Sequence, residues 1–450
     1  MAGGVLKGGN LVRLRTVFAF ALVLLALPAQ ALTILRDPDI EYSLNKMARP
    51  VLQAAGLPAN LKILVVRDGS LNAFVVDPNA IYIHSGLIER TSTPSELQFV
   101  IAHEAAHIVN GHITRRRLNA QHASRVARLG MALAAAGAVA TGQTAMAAAG
   151  LGVATSAQRS FNSHTQAEES SADQSAIRFM ALSGRGTQGA LDVMQIFAGQ
   201  ETLSDSRRDP YARSHPMSRD RLRRLDSLAQ SYGQGAKVDT AEDRYWYERA
   251  KGKLSAFLRA PKWTLQRAAE SPAADIAFMR RSVAYHRQSD WQRAVAELDQ
   301  AIALRPQDPF YHELKGQILL ESRQFGPAEA AYRKASELSP YDALILASLG
   351  HAMVVQGGDG RLRQSIDVLE RARAADYRNG SVMRDLGSAY AQLGQAGMAA
   401  LSVAEYHALY GRLNDAAIQA RRAAGLLQRG SPAWQRAQDV VVAANNADKK

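Results

Sequence analysis

The stretch FVIAHEAAHIVNGH, Phe99 to His112, holds two histidines and a glutamate at a spacing that suits metal chemistry. On a helix His103 and His107 stand at i and i+4, so both imidazoles leave one face a turn apart. Two such nitrogens suit a tetrahedral zinc ion. Glu104, beside the first histidine, can reach a water at the metal without itself ligating, which is the work of a general base. An ordinary helix that happens to carry two histidines has the same local sequence, so the rest of the protein has to decide.

A catalytic zinc needs a third protein ligand and a fourth position open to water. A histidine ten residues after His103 would supply one solution, but that position is Ile113, and His112 misses by one. His112 therefore reads as a polar residue at a helix end. The other solution is an acid from a later helix, and SHTQAEESSADQSAIRF offers Glu168, Glu169 and Asp173. Glu169 and Asp173 share a helix face, so one can bind metal while the other anchors a ligand imidazole. Acids at a helix start also serve simply to balance the helix dipole. On spacing alone His122 and His164 remain competing ligands.

The elements that position these residues follow from period and punctuation. SELQFVIAHEAAHIV lacks Pro and Gly after Pro94, and Leu97, Val100, Ile101, Ala105 and Ile108 recur at helical spacing. Ser95 is the expected N-cap. Residues 37 to about 60 read as a helix. KILVV, LNAFVV and AIYIH are short β-rich runs between turns at Asp68-Gly69 and Asp77-Pro78, so a small sheet packs beside the HEAAH helix. Residues 129–158 carry no charge, but they are Ala and Gly rich and broken by TGQT. They are expected as two short helices in a hairpin, buried or against a membrane or partner, rather than a span.

From about residue 275 a repeat takes over. Pro306 and Pro340, Ala294 and Ala328, Ala301 and Ala335, and Gly316 and Gly350 each recur at an interval of 34 residues. That is the tetratricopeptide period, with small residues where paired helices touch. About four and a half units are expected, ending near 430. Such arrays present a concave surface to peptides or partners and carry no chemistry of their own.

The 450 residues carry a net charge of +13 and no cysteine, which rules out disulfides. The basic balance suits anionic surfaces, including a peripheral membrane contact, or is a solvated Arg-rich exterior. No nucleic-acid module is present. Lys7, Arg13 and Arg15, then the apolar TVFAFALVLLALP and the small-x-small Ala29–Ala31, read as a secretory signal peptide cut after Ala31.

The ordered set LNAFVV, IYIHSGLI, ELQFVIAHEAAHIVNGH, EESSAD and SHPMSRDR resembles the HtpX and CAAX-prenyl-protease superfamily of zinc metallopeptidases. With the signal and the repeats, the protein is similar to the periplasmic protease-chaperones of that superfamily that serve outer-membrane assembly. The resemblance implies that Glu169, in Glu169-Ser170-Ser171-Ala172-Asp173, is the third ligand of one Zn²⁺, with Asp173 behind it. Ser171 departs from the acid common at that place. Asn72, Ala73 and Phe74 would form an edge strand that pairs with extended substrate. His215 and Arg221 would stabilise the oxyanion, or His215 would ligate zinc and close the site.

The expected fold is therefore mainly α. A gluzincin-type α+β metallopeptidase domain (32–236) with a small sheet follows the signal (1–31). After it come a helical linker (237–274), an all-α tetratricopeptide array (275–430) and a tail (431–450). The expected function is a periplasmic zinc endopeptidase that degrades misassembled outer-membrane proteins and chaperones productive ones, alongside the β-barrel assembly machinery. The competing expectation is a non-proteolytic chaperone or adaptor with a latent or structural zinc.

Overall fold

The computed structural model describes residues 33–115, 118, 165–198, 203–204, 207–215, 218–233 and 239–447. The expected signal peptide, the uncharged segment 129–158, His122 and His164 lie outside the described residues. Among the described residues no helix is long and apolar enough to cross a membrane.

The first unit is built around a four-stranded sheet, β1 (Ile34–Leu35), β2 (Lys62–Val66), β3 (Ala73–Asp77) and β4 (Ala80–His84), in the order β1-β2-β4-β3. β2 and β4 run parallel at the centre, and the edges β1 and β3 run antiparallel to them. KILVV is buried along four of its five residues, as a central strand covered on both faces requires. Helix α1 (Pro38–Ala54) is capped by Asp37, whose carboxylate accepts from Ile40 N, and sends Leu44, Met47, Val51 and Leu52 into the core.

After α2 (Ser85–Arg90) comes α3 (Pro94–Val109), the HEAAH helix. It is buried on nearly every side, its apolar residues in the core and Glu96, Gln98, His103, Glu104 and His107 buried with them. Its N-cap is Thr93 rather than Ser95. Pro94 occupies the first helical position, and the Thr93 hydroxyl accepts from Glu96 N while the Glu96 carboxylate accepts from Ser92 N. The pattern is a capping box displaced two residues from the expected cap, because Pro94 is pre-set for the first turn.

α4 (Thr165–Leu182) packs across α3, followed by α5 (Gln188–Ile196), α6 (Pro210–Ser214) and α7 (Arg219–Gly233). α8 (Ala241–Leu258) belongs to the expected linker, yet Tyr247, Ala250 and Leu254 lie in the same core as α1 and α3. Its other face reaches the repeats through Ala256, packed with Ile276 and Met279. The segment is thus a shared wall, and α9 (Pro261–Ala268) completes it.

The repeats are five helix pairs. They are α10 (Ala274–His286) with α11 (Trp291–Leu304), α12 (Pro309–Glu321) with α13 (Phe325–Leu338), and α14 (Ala343–Gln356) with α15 (Asp359–Ala375). α16 (Gly380–Gln392) with α17 (Ala396–Leu409), and α18 (Leu413–Leu426) with α19 (Pro432–Ala447), complete the array. α19 falls in the expected tail, and its Ala437 is buried against Leu401 and Ala423. The repeat glycines admit close approach. A Cβ on Gly316 would lie 2.7 Å from the Tyr332 ring, and one on Gly350 would lie 2.5 Å from Leu369.

The array folds back onto the first unit through charges. Arg249 of α8, fully buried, donates to Asp39 of α1 at 2.6 Å and to Asp308 at the start of α12 at 2.5 Å. Asp376, between α15 and α16, receives Arg36 at 2.7 Å and Lys62 at 2.6 Å. Arg378 reaches Asp77 at the end of β3 at 3.0 Å.

Candidate metal centre

His103 and His107 leave α3 on one face, as their spacing requires, and meet Glu169 from α4 and His215 from the end of α6. One ligand atom from each of these four buried side chains lies within 4.8 Å of the others. His103 Nε2 is 3.1 Å from Glu169 Oε2 and 3.1 Å from His107 Nε2, and His107 Nε2 is 3.4 Å from Glu169 Oε1. Ligands of a tetrahedral zinc at ordinary bond lengths stand about 3.3 Å apart, so the spacing fits that ion. Glu104 lies next to them, its Oε1 3.4 Å from His215 Nε2.

A second layer orients the ligands. Asp173, one turn after Glu169 on α4, places Oδ1 3.0 Å from His103 Nδ1. Arg221 of α7 donates to both oxygens of Asp173, at 2.6 and 2.9 Å, and lies 3.2 Å from Glu169. Its guanidinium is thereby set against Asp173 and Glu169, the second of which is itself a candidate ligand. His112 is no solvated helix end, for it is buried with Nδ1 3.0 Å from His107 Nδ1. With His107 protonated on Nδ1, His112 Nδ1 accepts that hydrogen and the Nε2 lone pair of His107 faces the centre.

Ser171, where the resemblance expects an acid, accepts from Asn110 Nδ2 at 3.1 Å and ties the end of α3 to α4.

Burial and neighbouring charges set the protonation of these groups. Burial disfavours charge on His103, but Asp173 and Glu169 beside it hold its pKa up at about 9. Burial would raise the Glu169 carboxyl, yet the neighbouring histidines hold it well below its usual range. Burial pushes His215 well below the usual imidazole value, so it is neutral. A neutral imidazole and an ionised carboxylate are the forms that bind a cation, so His215 and Glu169 stand in the binding form while His103 releases a proton on ligating.

β3 lies at the sheet edge, beside α3. His84 N donates to Asn72 O, so alternation turns the backbone groups of Leu71, Ala73 and Val75 outward. Phe74 stacks on Tyr82 at 5.3 Å. Among the described residues no strand pairs with this outer edge. Its first rung is taken by the segment that carries His215. Leu71 N donates to Asp209, and Tyr211 N donates to Leu71 O.

Two residues of the centre escape the motif. His112 differs from a surface histidine only in its tertiary surroundings. Tyr211 is fully buried, stacks on His215 at 4.3 Å and on Phe197 at 4.8 Å, and its hydroxyl has no hydrogen-bond partner among the described residues. A tyrosine in PYARSHP carries no spacing signal. The sequence pointed only to His215, four residues on.

The profile of peptidase family M48 matches residues 35–229, which contain every residue of this centre. The protein is 23% identical over 407 residues to the beta-barrel assembly-enhancing protease of Escherichia coli (strain K12), covering 88% of this chain and 81% of that one. It is 25% identical over 248 residues to the putative beta-barrel assembly-enhancing protease of Vibrio cholerae, half of each sequence. Among solved structures, MamA AMB-1 aligns with 37% of this chain and 98% of its own at 20% identity and a TM-score of 0.32.

Proposed function

We propose that this protein, whose residues 35–229 form a metallopeptidase domain of family M48, is a zinc endopeptidase of the periplasm. Its substrates in this reading are outer-membrane β-barrel precursors that have failed to assemble, and the repeats recruit and chaperone them. The observation that carries the reading is the convergence of His103, His107 and Glu169 with Glu104 beside them. The names of the relatives support the substrate class.

In this reading His103, His107 and Glu169 hold one Zn²⁺. When bound, the ion supplies Lewis acidity to the scissile carbonyl and acidity to water. Glu104 accepts the proton of the attacking water and passes it to the leaving amine. Asp173 and His112 keep the ligand imidazoles turned inward. Arg221 neutralises Asp173 and Glu169 and is a positioning residue. The outward groups of Ala73 and Val75 pair with an extended substrate, the first rung being already occupied at Leu71.

A second reading, a latent site in a chaperone or adaptor, is favoured by His215. The Ser214 hydroxyl is within donating reach of the Pro210 and Tyr211 carbonyls and lies 2.9 Å from His215 Nδ1. With its own proton so committed, Ser214 Oγ accepts from Nδ1–H and leaves a lone pair on His215 Nε2. Such a nitrogen ligates a cation but cannot donate to an oxyanion. His215 then fills the position that water needs.

The test is to offer purified protein an outer-membrane β-barrel precursor, unfolded in one arm and folded in the other, with an unfolded soluble protein as the third. Selective cleavage of the unfolded barrel supports the assigned substrate. Equal cleavage of both unfolded proteins would remove the substrate assignment and leave a general peptidase.

A further inference from the structure

Away from the metal centre, a cleft of about 830 Å³ opens between the N-terminal end of α3, the outer face of α8, and α9 with the start of α10. Pro94 lines it and His103 does not, and nine helical residues separate them, about 13 Å along α3. The cleft lies beyond the reach of the reacting atoms.

Its cations divide into two kinds. Two rim arginines are already matched to carboxylates, Arg259 to Glu89 at 2.8 Å and Arg267 to Glu270 at 2.6 Å. Arg244 donates to the Asp239 carbonyl at 2.8 Å, and Lys251 and Arg280 are not matched to carboxylates. Arg280 is only 7% exposed, and its Nε is buried without a partner. Its hydrogen bond is from Nη1 to Ser271 Oγ at 3.2 Å. Gly252 makes room for it, since a Cβ there would meet Arg280 Cδ at 3.3 Å. Lys251, one residue before that glycine, donates to Thr91 O and to Tyr247 Oη, both neutral acceptors.

Neither cation makes an ion pair among the described residues. Burial disfavours the charge on each; Glu248 attracts both from beyond ion-pair distance, with Glu96 and Glu89 also acting on Lys251 and Glu270 on Arg280. Over the whole lining, five cations (Arg244, Lys251, Arg259, Arg267 and Arg280) face four acids (Glu89, Asp239, Glu248 and Glu270), which leaves one positive charge unanswered in a cavity of ligand size. Trp263 forms an aromatic wall, with the guanidinium carbons of Arg259, Arg267 and Arg280 5.9 to 6.0 Å from its ring centre.

We propose that this cleft is a binding site for a carboxylate carried by a peptide, with the carboxylate between Lys251 and Arg280 and a neighbouring apolar side chain against Trp263. The rim shows that its arginines accept carboxylates in ordinary geometry. The single unanswered charge suits a monoanion better than a phosphate dianion, which Glu248 would repel. The carboxylate belongs either to the C-terminus of a peptide or to an acidic residue within it.

The experiment uses the purified full-length protein and three probes: N-acetyl-Gly-Phe with a free carboxylate, the same peptide as its amide, and N-acetyl-Gly-Glu-Phe amide. Affinities are read by calorimetry, with inorganic phosphate as competitor. The free acid should bind at least about tenfold more tightly than its amide, as expected for a charge-assisted hydrogen-bonded pair. Binding of the Glu peptide at a similar strength assigns internal acidic residues as well, and its failure restricts the site to peptide C-termini. Arg280→Met and Lys251→Met should each lose about tenfold while cleaving a general peptide substrate as wild type does, which also reports that they fold. Equal binding of acid and amide, affinities unchanged in both variants, or displacement by phosphate at lower concentration than by the acid would overturn the proposal.

Discussion

Asp173 holds two partners at once, the His103 imidazole and the Arg221 guanidinium. Asp173→Asn keeps the shape and removes the charge. Zinc affinity should fall about 10- to 100-fold, measured by competition with a chromophoric chelator. His112→Leu deprives His107 Nδ1 of its acceptor and should lower affinity in the same range. Circular dichroism should stay unchanged in His112→Leu, because no buried charge loses its partner. Zinc affinity equal to wild type in both would mean that the ligands are held by packing alone. His103 and His107 share a face because helical period puts them there, whereas spacing left Glu168, Glu169 and Asp173 open and only the resemblance singled out Glu169. The role of His112 was not legible, since its partner depends on how the end of α3 curls back on itself. Arg221 was legible as a site residue. That its guanidinium faces Asp173 and Glu169 follows from the docking of α7 on α4, which no local pattern encodes.

Among the elements, β3 separates the strand's own role from that of the loop beside it. Val75→Pro removes one outward N–H and leaves the inner pairing to β4 intact. KM for an extended peptide should rise about fivefold, the worth of one hydrogen bond, with zinc content unchanged. An unchanged KM would place the substrate elsewhere than on this edge. The sheet was readable because KILVV and AIYIH are β-rich runs between turns, and the repeats because 34-residue spacing survives in Gly316 and Gly350. The segments expected as helical linker and tail hold helices that pack into neighbouring cores. α8 buries Asp243, Arg249, Gly252 and Lys253 beside its apolar residues, and α19 buries Ala437 and Ala444, so neither carries a strong apolar stripe. The docking of residues 209–211 on Leu71 was invisible for the same reason as Arg221, a contact across 138 positions.

At the scale of the whole molecule the junction between the two units holds a buried ionic network beside its apolar contacts, and Glu313 lies in it. Glu313 of α12 is buried among Lys253 of α8, Asp37 and Asp39 at the start of α1, Asp342 at the start of α14, and Ser348 within it. Burial first, then the neighbouring acids, raise its pKa to about 8 against the pull of Lys253. The folded state therefore binds this proton more tightly than the unfolded state does. Its contribution to stability is fully present below the ordinary carboxyl value and is lost as pH rises from there through about 8. Glu313→Gln should flatten the decline of melting temperature between pH 5 and 8 by a few degrees. A decline as steep as in wild type would remove Glu313 from the junction's titration.

The central claim is that His103, His107 and Glu169 hold a working metal with Glu104 as base, and one side-by-side measurement tests it. Zinc content and cleavage of an unfolded protein are recorded for wild type, Glu104→Gln and His215→Ala. Cleavage by wild type should fall at least about 100-fold in Glu104→Gln with zinc retained, and His215→Ala should cleave faster than wild type. Undiminished cleavage by Glu104→Gln, or no bound metal in any of the three, would contradict it.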